Sequence, residues 1–288
     1  MINRWINMLA GRSIKPASMW LMERCIALWL IGMAVSLLPI REVLWGYDTM
    51  FAAAKGGPGI IKNFFYMLAY NRGLDDIVYF THIGAAVWML SGWRTTPAKV
   101  LIYLTGFILY YAAYYAYNSG YLTCLLLTFF LIFSFPRSDK KILGVATNLA
   151  MLACMLQVVH IYVVAASAKW AGDDWLNGSA VYYALQLDHY SLDWAQEFLS
   201  DKRGFLIFAN FFGLIYQTLF PILVWIKKVK MPLLIIGMMF HLGIAFMLGL
   251  FDFGLAMIAS YVVFFDNELS ARIIRRLPRR LVPAKFQR

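Results

Sequence analysis

The chain has 288 residues, 62% of them hydrophobic and only 14% charged, which is too apolar for an ordinary water-soluble domain of this length. The formal net charge is +11, yet Lys and Arg fall in short clusters between apolar runs, which excludes a domain-sized nucleic-acid surface and points to the lipid bilayer as partner. Cys25, Cys124 and Cys154 lie inside apolar segments without CxxC spacing, so neither a disulfide framework nor a metal site is expected.

In chain order, residues 1–18 read as a cytoplasmic N-terminal segment. The first apolar run, Met19 to Pro39, has the roughly 20 residues a membrane-crossing helix needs, and no small-residue cleavage site follows it. Further runs lie near Ile77 to Leu90, Val100 to Tyr117, Tyr121 to Phe135, Ile142 to Lys169, Phe205 to Ile226, Leu233 to Leu250 and Phe253 to Phe265. The expected fold is therefore an all-α integral membrane protein: a bundle of about eight transmembrane helices over 19–266 with short interfacial helices on the outer side. Residues 267–288 form a basic tail containing Arg272, Arg275, Arg276, Arg279 and Arg280.

Threading an alternating path from a cytoplasmic N-terminus puts 18 of the 26 Lys and Arg on the inner side, in every short inner loop and both termini. The outer side collects 11 of the 15 acidic residues, among them Asp173, Asp174, Asp188, Asp193 and Asp252. This asymmetry predicts that both termini are cytoplasmic. Two outer segments, Arg41 to Asp76 and Trp170 to Arg203, are longer than turns. The first carries Lys55-Gly-Gly-Pro-Gly and an interfacial stretch from Ile60 to Tyr70; without a following Gly-Lys-Ser/Thr these glycines are not a phosphate loop.

Polar residues inside apolar spans need partners and turn toward a bundle interior. The fifth run carries Asn148, Gln157, His160, Tyr162 and Lys169; helical spacing puts Asn148, Tyr162 and Lys169 on one side and His160 opposite Lys169. Asn210 and Gln217 stand seven apart on one face, His82 and His241 lie in other runs, and Glu23-Arg24 opens the first, where the two pair or snorkel near the inner boundary. Lys169, beside Trp170 and Trp175, is either an amine freed to act as a base or an anchor paired with Asp173 or Asp174. His189, in the outer segment, offers an imidazole, a group whose unperturbed pKa of about 6.5 would suit proton transfer.

Three stretches are similar to the horizontally transferred transmembrane (HTTM) domain shared by vitamin K-dependent gamma-carboxylases and bacterial membrane proteins. They are Gln157 to Lys169 with the following Trp170 to Leu185, Asn118-Ser-Gly with the run to Phe135-Pro136, and Phe240 to Ala259. The resemblance implies that Lys169 is the base that deprotonates a reduced quinone at the extracytoplasmic face, with His241 a second catalytic group. Asn118, Gln157, Tyr162, Trp175 and His189 would line the pocket. The catalytic His that carboxylases carry near Asn118 has no counterpart here, and no large soluble domain follows the last run. A bare core of this kind is more like the bacterial sporulation-delaying protein B type, which implies an inner-membrane protein acting on an exported peptide or protein with other membrane subunits. Three classes stay open: a quinol-linked peptide-modifying enzyme, a non-catalytic subunit of a peptide maturation, export or envelope complex, and a transporter or lipid-handling protein.

Overall fold

The structure, a computed structural model, describes residues 14–45, 73–113, 116–187, 191–278 and 282. His189, the Lys55 to Tyr70 stretch, the first 13 residues and Arg279 and Arg280 lie outside the described residues. Every regular element among the described residues is helical. The α-helices are α1 Pro16–Leu37, α2 Arg41–Leu44, α3 Leu74–Ser91, α4 Thr95–Ala112, α5 Ser119–Leu131, α6 Lys141–Trp170, α7 Asp173–Asn177, α8 Ala180–Leu185, α9 Asp193–Leu199, α10 Arg203–Leu223, α11 Lys227–Leu248, α12 Phe251–Ser260 and α13 Asn267–Arg275.

Among the described residues, four segments are long and apolar enough to cross a membrane: Pro16–Leu44, Lys141–Trp170, Arg203–Leu223 and Lys227–Leu248. Helices also stand at the other four predicted runs, with different character. α3 and α4 rise about 27 Å each, but Asp75, Asp76 and His82 interrupt the first and Thr95, Thr96, Lys99 and Thr105 the second. α5 has 13 residues and α12 has 10 before a 3-10 turn, Tyr261–Phe264, well short of the roughly 20 of a full crossing. The apolar helices are compatible with lipid contact on their outward faces: Met239 is 67% exposed, and Phe208 and Ile222 are 64%, an arrangement that water would penalise.

The chain divides into two compact units, one formed by 1–154 with 266–288 and one by 155–265. In the first, α3 and α4 form a hairpin through Gly92, α1 packs against α3 and α5, and α13 returns to α1. Gly73 and Gly92 bracket α3 with φ of +84° and +77°, conformations that glycine adopts without a Cβ penalty. Trp45 Nε1 donates to Leu109 O at 3.1 Å and the Tyr79 hydroxyl donates to Ala34 O, locking a core with Val78, Ile108 and Ala112. Asn267 Oδ1 accepts from Ala17 N–H at 2.9 Å, and Asn148 Oδ1 from Ile14 N–H at 2.8 Å, so both amides satisfy backbone donors around the start of α1. Lys99, counted in sequence as an inner-loop charge, is fully buried and donates to Glu23 Oε1 at 2.9 Å.

In the second unit α11 and α12 form a hairpin at Gly249, φ +67°, and α10 packs on α7, α8 and α11. The short helices α7, α8 and α9 fill the predicted outer segment, with Leu185, Ala195, Leu199 and Leu206 as their small core.

Candidate functional site

The densest polar arrangement of the second unit grows from a glycine. Gly237 lies one turn before His241 on α11, and a Cβ built on it would collide with the hydroxyls of Tyr216 and Tyr261. Those hydroxyls occupy the space a side chain would take. Gly254 likewise brings α12 onto α11 at the turn of His241: a Cβ there would stand 2.6 Å from His241 O and 3.0 Å from Ala245 Cβ.

The two close approaches bring together Tyr162 from α6, Tyr216 from α10, His241 from α11 and Tyr261 after α12, each no more than 5% exposed. Tyr162 Oη lies 2.6 Å from His241 Nε2 and is hydrogen-bonded to Tyr261 Oη; Tyr261 Oη lies 3.2 Å from Tyr216 Oη, which donates to Leu233 O at 3.2 Å. Phe220 stacks on Tyr162 with centroids 4.0 Å apart, and Phe240 and Phe253 pack edgewise on the imidazole at 5.2 and 5.5 Å.

Tyr216 spends its proton on Leu233 O, so it accepts from Tyr261, which accepts from Tyr162, which accepts from His241 Nε2–H. In this order every hydroxyl hydrogen has an acceptor. His241 Nδ1, buried and without a hydrogen-bond partner among the described residues, is then a bare acceptor. The reverse order would make it a bare N–H, the costlier orphan in an apolar interior. Asn210 Oδ1 and Gln217 Oε1 on α10 are buried unpartnered acceptors too. Buried polar atoms are normally satisfied, so the unit offers three acceptors suited to a ligand or water that brings O–H or N–H donors.

Lys169 stands seven residues, about 10 Å, beyond Tyr162 on nearly the same face of α6. Its Nζ lies 4.6 Å from the Trp175 ring centroid. Neither Asp173 nor Asp174 pairs with it; Asp174 accepts from Ser179 Oγ instead, at 3.0 Å. Of the two sequence readings, the ion-paired anchor is not formed, and the amine rests on an indole. Trp175 is held by Asn210 Nδ2, which donates to Trp175 O at 2.8 Å.

Of the sequence candidates, the structure joins Tyr162 directly to His241 and Lys169 directly to Trp175. Gln157 is half-buried and His160 exposed on α6. Asn118 belongs to the first unit, where its Oδ1 accepts from Gly120 N–H at 2.8 Å and caps α5. His82 pairs there with Thr105 Oγ1 at 3.0 Å. The sequence reading omitted Tyr216, Tyr261, Phe220 and Gly237. Their signals were weak but present: Tyr216 stands beside Gln217, Tyr261 two residues past the Phe240 to Ala259 stretch, and Gly237 four before His241. An open cavity of about 700 Å³ lies elsewhere in this unit, lined by Trp194, Phe198, Lys202, Phe205 and Met247; it holds none of the network residues.

These features define an all-helical protein with apolar outward faces and a buried chain of tyrosines ending on a histidine. Comparison with protein-family models, curated proteins and solved structures yields no match.

Proposed function

We propose that this chain is an HTTM-type integral membrane protein whose second unit is an acid–base site acting at the extracytoplasmic face on an exported peptide or protein. The chain would cross the bacterial inner membrane about eight times, with both termini on the basic, cytoplasmic side. The observation that carries the functional reading is the chain from His241 through Tyr162 and Tyr261 to Tyr216, with His241 Nδ1 left as a buried open acceptor.

His241 Nδ1 can take a proton from a bound donor, the imidazolium so formed keeping its Nε2–H on Tyr162 Oη, and return that proton to the same site. Lys169 is the base nearer the outer end, its amine held over Trp175 with no carboxylate bound to it. A reduced quinone, which supplies two hydroxyl donors and reducing electrons, is the cofactor class that unpartnered acceptors such as His241 Nδ1 would suit. A non-catalytic subunit is the second reading, favoured by exposed aromatics of α9: Trp194 is 51% and Phe198 64% exposed, and such a surface suits a partner helix.

The test is intact-mass spectrometry of secreted and envelope proteins from cells expressing wild type, Lys169→Ala or His241→Gln at equal, membrane-inserted levels. A mass shift present with wild type and sharply reduced with both variants is expected. Identical spectra, together with unchanged co-purifying proteins, would reject the enzyme in favour of the subunit.

A further inference from the structure

The first unit gathers three cations around one carboxylate. Glu23 Oε1 accepts from Lys99 Nζ at 2.9 Å and Oε2 from Arg24 Nη1 at 2.8 Å. Lys99 also donates to Ser134 O at 2.9 Å, and Arg24 Nη1 to Trp20 O at 3.1 Å. Glu23, Arg24 and Lys99 are 1%, 6% and 0% exposed. The carboxylate is thus fully engaged, and donors remain. Arg24 Nε and Nη2 are buried without a hydrogen-bond partner among the described residues. Arg137, exposed in the segment after α5, makes no ion pair among them either.

Both leftover guanidinium edges converge on one spot. A Cβ built on Gly92 would meet Arg24 Nη2 and, at 2.6 Å, Arg137 Nη2. Gly92 has φ +77° at the end of α3, and its missing side chain is what lets both guanidinium groups pack against this turn. Arg24 stacks on Trp20, 4.2 Å from the ring centroid, which fixes the plane of its guanidinium and directs the free edge. Two like charges brought together with only one shared carboxylate repel, and the buried guanidinium of Arg24 has little water to screen it. A tetrahedral oxyanion between them would offset that repulsion, because guanidinium edges match phosphate oxygens in geometry and charge.

We propose that Arg24 and Arg137 form, over Gly92, a binding site for a phosphate group, with Lys99 and Glu23 as its buried base. A lipid headgroup and free inorganic phosphate share this chemistry. The charge count of the loops assigns this end of the unit to the cytoplasmic side, where anionic headgroups attract basic residues.

The test uses the full chain, stripped of lipid in mild detergent and examined by native mass spectrometry with phosphatidylglycerol or phosphatidylcholine, and by thermal unfolding with inorganic phosphate against chloride at equal ionic strength. The wild type should retain one phosphatidylglycerol in preference to phosphatidylcholine. Arg137→Gln, at an exposed position, should bind it about tenfold more weakly, the loss of one charge-assisted contact. Gly92→Ala, whose methyl would push both guanidinium groups off the turn and strain its left-handed backbone, should abolish the preference. A phosphate-specific rise in melting temperature that Arg137→Gln removes, without lipid preference, would assign the site to soluble phosphate. Equal lipid retention by wild type and Arg137→Gln, with no phosphate-specific shift, overturns the proposal.

Discussion

Glu23→Gln is the most informative single change in the first unit. The substitution keeps the side-chain volume and one carbonyl oxygen but removes the charge that Lys99 and Arg24 share at 2.9 and 2.8 Å. With Glu23 1% exposed and Lys99 fully buried, water cannot replace the lost partner. Breaking a buried ion pair from one side costs about 3–5 kcal/mol because the surviving charge stays uncompensated, and here two cations survive. Lys99→Met is the comparison: Glu23 keeps Arg24 and one surplus positive charge disappears, so the penalty is that Glu23 Oε1 and Ser134 O each lose a donor, about 1–3 kcal/mol for each. Unfolding in mixed mild-detergent and dodecyl-sulfate micelles, followed by tryptophan fluorescence, should rank Glu23→Gln well below Lys99→Met, and Lys99→Met below wild type. A Glu23→Gln protein as stable as wild type, or one no less stable than Lys99→Met, would refute the assignment of Glu23 as the neutralising centre.

In the second unit, Tyr162→Phe removes the hydroxyl that serves both His241 and Tyr261, leaving the imidazole with no partner on either nitrogen; the same micelle titration should show a loss of about 1–3 kcal/mol. Tyr216→Phe should cost less, because His241 keeps Tyr162 and the two bonds lost, from Tyr261 and to Leu233 O, are both long at 3.2 Å. Gly254→Ala would place a methyl 2.6 Å from His241 O, forcing α12 away from α11; a loss of about 1–3 kcal/mol in the titration is expected from such overpacking.

The helices were legible in the sequence because their apolar runs are long, and glycine or proline marks their ends: Pro16 opens α1 and Gly73, Gly92 and Gly249 bracket turns. Their crossing character was less legible. Composition counts α3, α4, α5 and α12 as apolar, yet α5 and α12 are short and Lys99 on α4 is an ion-paired core residue. Pairings between distant helices were not legible. Tyr162 meets His241 across 79 positions and Tyr261 across 99, and no local spacing encodes such contacts. What the sequence does carry is the permission for them, in Gly237 and Gly254, whose missing side chains only acquire meaning once the facing hydroxyls and backbone are in place. Asn118 shows a different ambiguity: a polar residue before an apolar run is as much a helix-cap signal as a pocket signal, and its Oδ1 caps α5.

Lys169 and the tyrosine chain belong to one site only if something joins them. Seven residues of helix put Tyr162 about 10 Å from Lys169 along α6, and direct proton transfer needs heavy atoms about 3 Å apart. A substrate or cofactor lying along α6, its donors on His241 Nδ1 and its outer end beneath Lys169, would close the gap, and both residues would then act on one bound molecule. Groups that act as a unit are non-additive. Lys169→Ala combined with Tyr162→Phe should therefore lower the wild-type-dependent mass shift on the exported protein no further than the more damaging single change, with each variant first brought to equal membrane levels. Independent, multiplying losses would separate the two, leaving Lys169 as a cation resting on Trp175 and the tyrosines as interhelical hydrogen bonding alone.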